Sequence, residues 1–405
     1  MKDASARMLV AIALLALSLA SHAEIVRSDY FGMHVHNLQT LRRTAIEPFG
    51  FLRLWDTGTT WAHLEPNAGN WDFHVIDGFV EEADKRHVQI LYVLGMTPAW
   101  ASSNPDAESN YFKGASSPPA DIDRWRTYVR TVATRYKGRI KYWELWNEIN
   151  VKQFYSGDLS TLVLLEQIAS EELKAIDAKN VLLSASIQGG AFRQLDQYFA
   201  AGGGRYADGI AYHFYALKEE PEEVLSRINT VRALMRKYGL EQKPLWNTEF
   251  GWLIENRDGT FGKHMKPDWW SWRKVDQEEA PGIVMRALLM GLAGGVEASF
   301  WYAWDNSAMG LSENGEPKQA ARAYTRLQEW VVGADFRGCQ EALEIWKCHL
   351  TRNGKDSWIV WSQEKRTFSI PTEWHIGTVQ RYVAAPTPIN GGSIGVGPIP
   401  IRLAP

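Results

Sequence analysis

The feature that most constrains the fold is an alternation of short β-branched or aromatic runs with stretches of helical periodicity, which begins near residue 30. Eight runs have the length and composition of strands, at residues 30–36, 51–56, 88–95, 140–147, 181–187, 209–215, 244–249 and 297–304. Helical stretches separate them, at residues 74–86, 122–137, 161–178, 222–238, 279–293 and 317–332. Strands that alternate with helices form parallel βαβ units, and eight such units predict an α/β fold with a closed (β/α)8 barrel.

After about residue 335 the pattern changes to short strands with Asn-Gly and Gly-Gly turns nearby. Strands are predicted there at residues 341–350, 356–362, 366–371 and 377–384, followed by a tail rich in Pro and Gly from Ala385. About 70 residues are few for an independent sandwich domain. We therefore expect a catalytic barrel over residues 24–335 and a small β appendage, packed on the barrel, over residues 336–405.

The first 23 residues have the pattern of a secretory signal peptide. Lys2 and Arg7 precede an apolar run over residues 8–20, and Ser21-His22-Ala23 offers small residues for cleavage. The prediction is an exported protein, periplasmic or extracellular, with no membrane span after signal cleavage; an uncleaved anchor is the alternative. The formal net charge of −3 favours neither nucleic acid nor an anionic membrane surface as a partner.

Only two cysteines are present, Cys339 and Cys348. In an exported protein a disulfide between them is expected, and two free buried thiols are the alternative. Two cysteines also exclude a zinc site built from four thiolates.

Two glutamates stand at predicted strand ends. The fourth strand ends at Asn147-Glu148, and the seventh ends at Glu249. Active sites of (β/α)8 barrels form where strands end and the following loops begin. Two carboxylates at one rim can cleave a glycosidic bond, because one protonates the leaving oxygen while the other attacks the anomeric carbon or activates water. The 19 tryptophans favour a sugar ligand as well, since a sugar's apolar C–H face stacks on such rings.

With these residues the chain resembles clan A glycoside hydrolases, a superfamily of (β/α)8 retaining enzymes with Asn-Glu at the end of strand four and Glu at the end of strand seven. The resemblance covers about residues 30–330, and further matching positions are Arg53, His213, Tyr215, Trp301 and Trp304. The run Trp61-x-x-Leu64-Glu65-Pro66-x-x-Gly69-x-Trp71-Asp72, with Thr97-Pro98-x-Trp100, is most similar to family 39. That family includes β-xylosidases, iduronidases and bacterial enzymes that cut exopolysaccharide. The C-terminal appendage is shorter than the sandwich of typical xylosidases.

The resemblance implies that Glu148 is the general acid/base and Glu249 the nucleophile. We expect Trp146 and the charge of Glu249 to raise the pKa of Glu148, and Arg53 and Tyr215 to keep Glu249 ionised. A retaining enzyme holds the two carboxyl groups about 5–5.5 Å apart.

Other residues are expected around this pair. Contacts with the substrate are predicted for Asn147, Arg53, His213, Tyr215, Trp301, Trp304, Trp100 and His36. Asn147 is expected to bind the 2-hydroxyl or, alternatively, to cap the loop after strand four. Glu144 is expected deeper in the barrel, paired with an arginine or a histidine. His34 and His36 share a strand face and either line the sugar site or belong to the core; no metal site is predicted.

The segment 258–276 after strand seven holds Trp269, Trp270 and Trp272 and is too long for an ordinary loop. It is expected to form a lid or a subsite wall, unless its aromatics only pin it to the barrel; Trp55 and Trp100 carry the same two alternatives.

The function predicted from the sequence is an exported retaining glycoside hydrolase without a cofactor. Its expected substrate is a polysaccharide or oligosaccharide, first a bacterial exopolysaccharide and second a xylan-like glycan, cut internally. The alternatives are a transglycosidase with the same residues, a barrel that binds glycan without cutting it, and an unrelated metalloenzyme.

Overall fold

The computed structural model describes residues 24–43, 46–262 and 271–405. After a short strand, β1 (Glu24–Ile25), eight parallel strands form the centre: β2 Phe31–His34, β3 Phe51–Leu54, β4 Gln89–Leu94, β5 Tyr142–Leu145, β6 Val181–Leu183, β7 Ile210–Tyr212, β8 Leu245–Phe250 and β11 Ser299–Trp301. They lie in the order β6-β5-β4-β3-β2-β11-β8-β7. Parallel bridges from Leu183 to Gly209 and from Gln188 to His213 join the two end strands. The barrel is thereby closed, which confirms the predicted fold.

The helices of the described chain surround this barrel: α1 Leu38–Arg43, α2 Trp61–Leu64, α3 His74–Arg86, α4 Ile122–Arg135, α5 Leu159–Ile176, α6 Phe192–Ala200, α7 Glu223–Lys237, α8 Ala280–Ala293 and α9 Gln319–Val331. Aspartates cap two of them, since Asp121 accepts from the Asp123 amide at the start of α4 and Asp158 from the Thr161 amide at the start of α5. The six predicted helices are all present. The short helices α1, α2 and α6 were not predicted, because their apolar pattern spans too few turns.

The lower part of the barrel interior is filled with apolar side chains. Phe51, Trp246 and Phe300 are the bulkiest members of one buried cluster there, which also contains Leu91, Leu183, Ala211 and Ala298. Gly32 makes room for Phe300, because a Cβ atom at residue 32 would lie 2.5 Å from that ring. This packed floor leaves the carboxyl ends of the strands as the open end of the barrel.

The C-terminal residues form a separate, mostly antiparallel set of strands: β14 Asp335–Ala342, β15 Ile345–Arg352, β16 Lys355–Trp361, β17 Arg366–Ser369, β18 Thr378–Gln380, β19 Thr387–Pro388, β20 Ser393–Val396 and β21 Ile401–Ala404. The main sheet runs β1-β14-β15-β16-β21-β18-β19, while β17 pairs with β20. The first strand of the described chain thus belongs to this sheet, because Glu24 pairs with Phe336.

Two sequence-based details of this region are wrong. The strand predicted at 341–350 is split by a turn at Leu343-Glu344, whose φ angles are +55° and +62°. Neither residue is a usual turn former, so no turn could be predicted at this position. No strand was predicted in the tail from Ala385, which contains β19, β20 and β21. The predicted disulfide is confirmed: Cys339 and Cys348 are bonded and directly opposite each other on β14 and β15.

Loops at the open end carry two further small sheets. Strand β9 (Leu253–Ile254) pairs in parallel with β10 (Lys274–Val275), and β12 (Ser312–Glu313) forms a hairpin with β13 (Glu316–Pro317). The predicted signal peptide at 1–23 lies outside the described residues. Within the described ranges, no helix combines the length and apolarity needed to cross a bilayer.

Candidate active site

Asn147 and Glu148 follow β5, where the backbone turns sharply. Trp146 and Glu148 have left-handed backbone conformations, with φ of +51° and +43°, which cost about 1–3 kcal/mol each outside glycine. The Trp146 indole holds the turn, because its Nε1 donates to the Phe154 carbonyl oxygen at 2.7 Å. Its ring also packs over Gly95, where an added Cβ would lie 3.1 Å from it. The turn presents the Glu148 carboxylate at the open end of the barrel.

Glu249 lies on β8 and is held through both carboxylate oxygens. Arg53 Nη1 donates to its Oε2 at 2.8 Å, and the Tyr215 hydroxyl donates to its Oε1 at 2.8 Å. A carboxylate oxygen of Glu148 lies within 4.8 Å of one of Glu249. That separation suits the roughly 5–5.5 Å of retaining enzymes better than the roughly 6.5–9.5 Å of inverting ones.

Beneath the pair, Arg53 and Glu144 form a buried ion pair. Arg53 Nε and Nη2 donate to the two Glu144 oxygens at 2.7 and 2.9 Å, and neither side chain is exposed. Arg53 Nη2 also donates to Asn147 Oδ1 at 2.8 Å. The prediction that Glu144 lies deeper and pairs with an arginine is confirmed. One guanidinium thus fixes Asn147 and Glu249 relative to each other.

His213 is fully buried among the carboxylates. Its Nδ1 lies 2.8 Å from Glu148 Oε1 and 3.9 Å from Glu249 Oε1. Burial alone lowers the pKa of His213, but the neighbouring carboxylates of Glu249, Glu144 and Glu148 outweigh it and raise the pKa to about 9. The imidazole is therefore protonated at neutral pH and donates a hydrogen bond to Glu148.

Glu249 differs from expectation in its protonation. Burial and the charge of Glu148 raise its pKa, whereas the charges of His213 and Arg53 and the Tyr215 hydrogen bond lower it. The net result is a pKa of about 7. The expectation that Arg53 and Tyr215 keep Glu249 ionised is therefore wrong, because removal of the carboxylate from water outweighs their effect on its pKa.

Three of these side chains also have the geometry of a metal site. Within the described ranges, His213 Nδ1 and one oxygen each of Glu148 and Glu249 lie close enough together to bind a metal ion. A metal needs the lone pair of a neutral imidazole. Because the pKa of His213 is raised, these residues are better suited to proton transfer at neutral pH.

A cleft of 330 Å³ opens above the two glutamates. Of the expected substrate contacts, Asn147 and Tyr215 line it, together with the tryptophans Trp55 and Trp272. The remaining lining residues were not singled out from the sequence: Asp56, Asn110, Tyr111, Val151, Phe154, Gln188, Leu217, Tyr302 and Met309. Asp56 lies two residues after the end of β3 and Tyr302 directly after the end of β11. Strand-end position was the signal that could have identified them.

Trp301 and Trp304 lie elsewhere than expected. Both are completely buried, and the Trp301 ring packs against Phe250 and Trp252, with centroids 5.2 and 6.1 Å away. In this structure neither offers a ring face to the cleft, which corrects the sugar-stacking role predicted for them. Tyr302 lines the cleft instead, since consecutive side chains at a strand end point to opposite sides.

Four other residues expected to contact the substrate also lie outside the described cleft lining: Arg53, His213, Trp100 and His36. Arg53 and His213 are completely buried and bind the carboxylates instead. The Trp100 indole donates to the Glu65 carbonyl oxygen at 2.8 Å. The His36 ring packs against Tyr302 at a centroid distance of 4.9 Å. Direct contact is thereby corrected for Arg53 and His213, because other protein groups cover both side chains completely. Trp100 and His36 are partly exposed, and their contact with a substrate stays a prediction.

Two further expectations concern His34 and the long loop. His34 is a core residue, fully buried, with Nε2 3.1 Å from the Thr248 carbonyl oxygen. Within the segment 258–276, Trp269 and Trp270 lie outside the described residues. Trp272 lines the cleft, so this segment contributes at least one ring to the site.

Sequence comparisons find partial similarity to a glycosyl hydrolase family, to a β-xylosidase and to an endo-1,4-β-xylanase. The model of "Glycosyl hydrolase family 10" matches residues 54–165, a region that contains Asn147 and Glu148. A "Beta-xylosidase" of Geobacillus stearothermophilus is 25% identical over 206 residues, which are 44% of this chain and 41% of that protein. An "Endo-1,4-beta-xylanase 2" of Claviceps purpurea is 35% identical over 85 residues, or 21% of this chain and 24% of the relative. The chain therefore matches less than half the length of these curated relatives.

Structural comparisons extend over nearly the whole chain. A family 39 glycoside hydrolase from Bacteroides cellulosilyticus WH2 superimposes with a TM-score of 0.73 at 18% identity, over 94% of this chain and 82% of that one. A monomeric β-xylosidase from Caulobacter crescentus gives a TM-score of 0.64 at 15% identity, over 95% and 98% of the two chains. At these identities the likeness shows a shared fold. The family 10 match adds a similarity in sequence to glycoside hydrolases over residues 54–165, which include the Asn147-Glu148 pair at the end of β5.

Proposed function

We propose that the protein is a retaining glycoside hydrolase with Glu148 as general acid/base and Glu249 as nucleophile. The observation that carries this proposal is the approach of the two carboxylates to within 4.8 Å at the open end of a closed barrel. Each has its own partners, His213 for Glu148, and Arg53 with Tyr215 for Glu249. Different partners allow the two carboxyl groups to perform different steps.

In the first step, the Glu249 carboxylate attacks the anomeric carbon as the bond to the leaving oxygen breaks, and the Glu148 proton passes to that oxygen. In the second step, the Glu148 carboxylate takes a proton from water while the water oxygen attacks the anomeric carbon and releases Glu249. The sugar keeps its anomeric configuration, because each of the two displacements inverts it.

The surrounding residues support both steps. Arg53 and Tyr215 fix the attacking carboxylate, so little reorganisation is needed as its charge passes into the bond. The protonated His213 stabilises the negative charge that Glu148 acquires after it has given up its proton. Asn147 lines the cleft with its Oδ1 held by Arg53, and we assign its amide nitrogen to the substrate's 2-hydroxyl, a contact that strengthens in the transition state.

The proposed substrate is a polysaccharide or oligosaccharide. The names of the relatives, a β-xylosidase and an endo-1,4-β-xylanase, favour a xylan-like glycan, and a bacterial exopolysaccharide is the second candidate. Internal cleavage is proposed from the aromatic side chains along the cleft. Export is proposed from the signal-like sequence at residues 1–23.

Covalent trapping tests the assignment. A 2-fluoro glycoside of a sugar that the enzyme accepts should label Glu249, and mass spectrometry of the digested protein should locate the label there. The Glu249→Gln variant should lose turnover by several orders of magnitude while still binding oligosaccharide in calorimetry. Glu241→Gln is the matched control, because Glu241 is exposed and precedes the same strand. Undiminished hydrolysis by Glu249→Gln, or a label on another residue, would reject the proposed nucleophile.

A further inference from the structure

Asp56 is a third carboxylate in the cleft, and neither proposed step uses it. It lies two residues after the end of β3, has a left-handed backbone with φ of +60°, and is partly exposed. It lines the cleft together with Glu148 and Glu249. Aspartate adopts this conformation more readily than most residues, but a backbone role does not require the carboxylate to face the cleft.

Two tyrosines hold the Asp56 carboxylate. The Tyr302 hydroxyl donates to its Oδ2 at 2.8 Å, and the Tyr111 hydroxyl donates to its Oδ1. Burial, reinforced by the charge of Asp56, raises the pKa of both tyrosines well above the ordinary value, so both remain donors. A carboxylate has about four acceptor sites in its two oxygens. With one donor on each oxygen, Asp56 keeps capacity for donors from a ligand.

The charge of the cleft points to the chemistry of that ligand. Asp56, Glu148 and Glu249 contribute carboxylates, and the described lining residues include no lysine or arginine. Sugar hydroxyls donate well to carboxylates, and such charge-assisted hydrogen bonds are stronger than neutral ones. The carboxylate of a uronic acid at the same place would be repelled by like charges in a partly buried site.

We propose, on the basis of the proposed function, that Asp56 accepts hydrogen bonds from the hydroxyls of the sugar unit bound beside Glu249. Tyr111 and Tyr302 hold its carboxylate in place, and the negative charge of this carboxylate restricts that unit to neutral sugars. Asp56 is thus a specificity determinant for the class of glycan. The two tyrosines are positioning residues, because they act on the sugar through Asp56.

The test compares the wild type with Asp56→Asn, which removes the charge and keeps the size. Neutral substrates are aryl β-xyloside, aryl β-glucoside and xylo-oligosaccharides, and carboxylated ones are aryl β-glucuronide and oligosaccharides of glucuronic acid. For Asp56→Asn we expect kcat/KM on the neutral substrates to fall by about 10- to 100-fold, the effect of losing a hydrogen bond to a charged acceptor. The ratio of neutral to carboxylated kcat/KM should fall at least tenfold.

Asp106→Asn is the matched control, because Asp106 is exposed in the same loop that carries Tyr111; it should leave the ratio unchanged. Tyr302→Phe and Tyr111→Phe should lower the ratio less than Asp56→Asn, and unfolding temperatures should show that all variants fold. A wild type that prefers the uronides, or a ratio unchanged in Asp56→Asn, would overturn the role of Asp56. If Glu249 is still labelled in that case, the proposed hydrolase stands. A wild type that cleaves no substrate and takes no label would reject both.

Discussion

At the scale of single residues, the surroundings of Glu249 set the pH at which the candidate site can work. A nucleophilic carboxylate must be ionised to attack the anomeric carbon. Burial raises the pKa of Glu249 to about 7, although His213 and Arg53 oppose the shift. The protonated fraction is therefore inactive, and it grows as the pH falls through neutrality.

We predict that kcat/KM of the wild type rises with pH through about 7, the pKa of Glu249. In His213→Gln the positive charge that lowers this pKa is lost. The acidic limb of the profile should therefore move to higher pH by about 1–3 units, the usual effect of a nearby charge. The measurement is the pH dependence of kcat/KM from pH 5 to 9, which reports groups of the free enzyme.

His74→Asn serves as the control, because His74 is exposed at the start of α3. Its acidic limb should coincide with that of the wild type. A limb that stays in place in His213→Gln would show that His213 does not tune Glu249, whatever the loss in rate.

The aromatic residue that lines the cleft at the end of β11 is Tyr302, one position after Trp301, which was expected to stack on the sugar. The sequence offers Trp301, Tyr302 and Trp304 at one strand end, and the tryptophans are the larger rings. The structure buries both and lines the cleft with Tyr302. Residue type alone could not decide this, because which side of a strand faces the cleft depends on its register in the closed barrel.

At the scale of elements, the β14–β15 hairpin is held by both a hydrogen-bonded ladder and a disulfide. Cys339 and Cys348 are direct partners, and six residue pairs join the two strands. The cysteine spacing was enough to predict the bond. The hairpin turn at Leu343-Glu344 was not predictable, because neither residue prefers the left-handed backbone that the turn requires.

We predict that the double variant Cys339→Ala/Cys348→Ala loses about 2–3 kcal/mol of unfolding free energy, the chain-entropy value for a loop of this length. Denaturant unfolding measures the loss, and kcat/KM should stay the same because the bond lies in the appended sheet. The wild type in reductant should show the same loss. Equal stability of all three samples would mean that the ladder alone fixes the hairpin.

At the scale of the whole molecule, the C-terminal strands act as a cover for part of the barrel. The buried Trp361 indole donates to Glu222 Oε1 at 2.7 Å, next to helix α7. Arg352 Nη2 donates to the Val332 carbonyl oxygen at 2.7 Å, just after α9. Helix α8 is buried along nearly its whole length, and a Cβ at Gly282 would lie 2.5 Å from the Pro398 carbonyl oxygen. The appendage and the outer helices therefore share one interface.

We predict that a chain ending at Ala334 is much less stable than the full protein. Truncation would expose apolar residues of α8 and α9 and leave β1 without its partner strand β14. The expected result is a lower unfolding temperature and aggregation, measured by thermal unfolding and light scattering. The double cysteine variant is the matched control, because it keeps the cover. A truncated barrel as stable and active as the full chain would show that residues 335–405 form an independent unit.

The sequence by itself determined the order of strands and helices, the closed barrel and the two glutamates, because hydrophobic periodicity and strand-end position are local properties. The cysteine pair could also be predicted from the sequence. The contacts of Arg53 and Tyr215 with Glu249 were expected from the resemblance to a superfamily. Only the tertiary structure decided that His213 binds Glu148 and that Asp56 lines the cleft. The tertiary structure also raises the pKa of Glu249. This carboxylate becomes buried, and the charged residues of other strands come close to it, only after the barrel has closed.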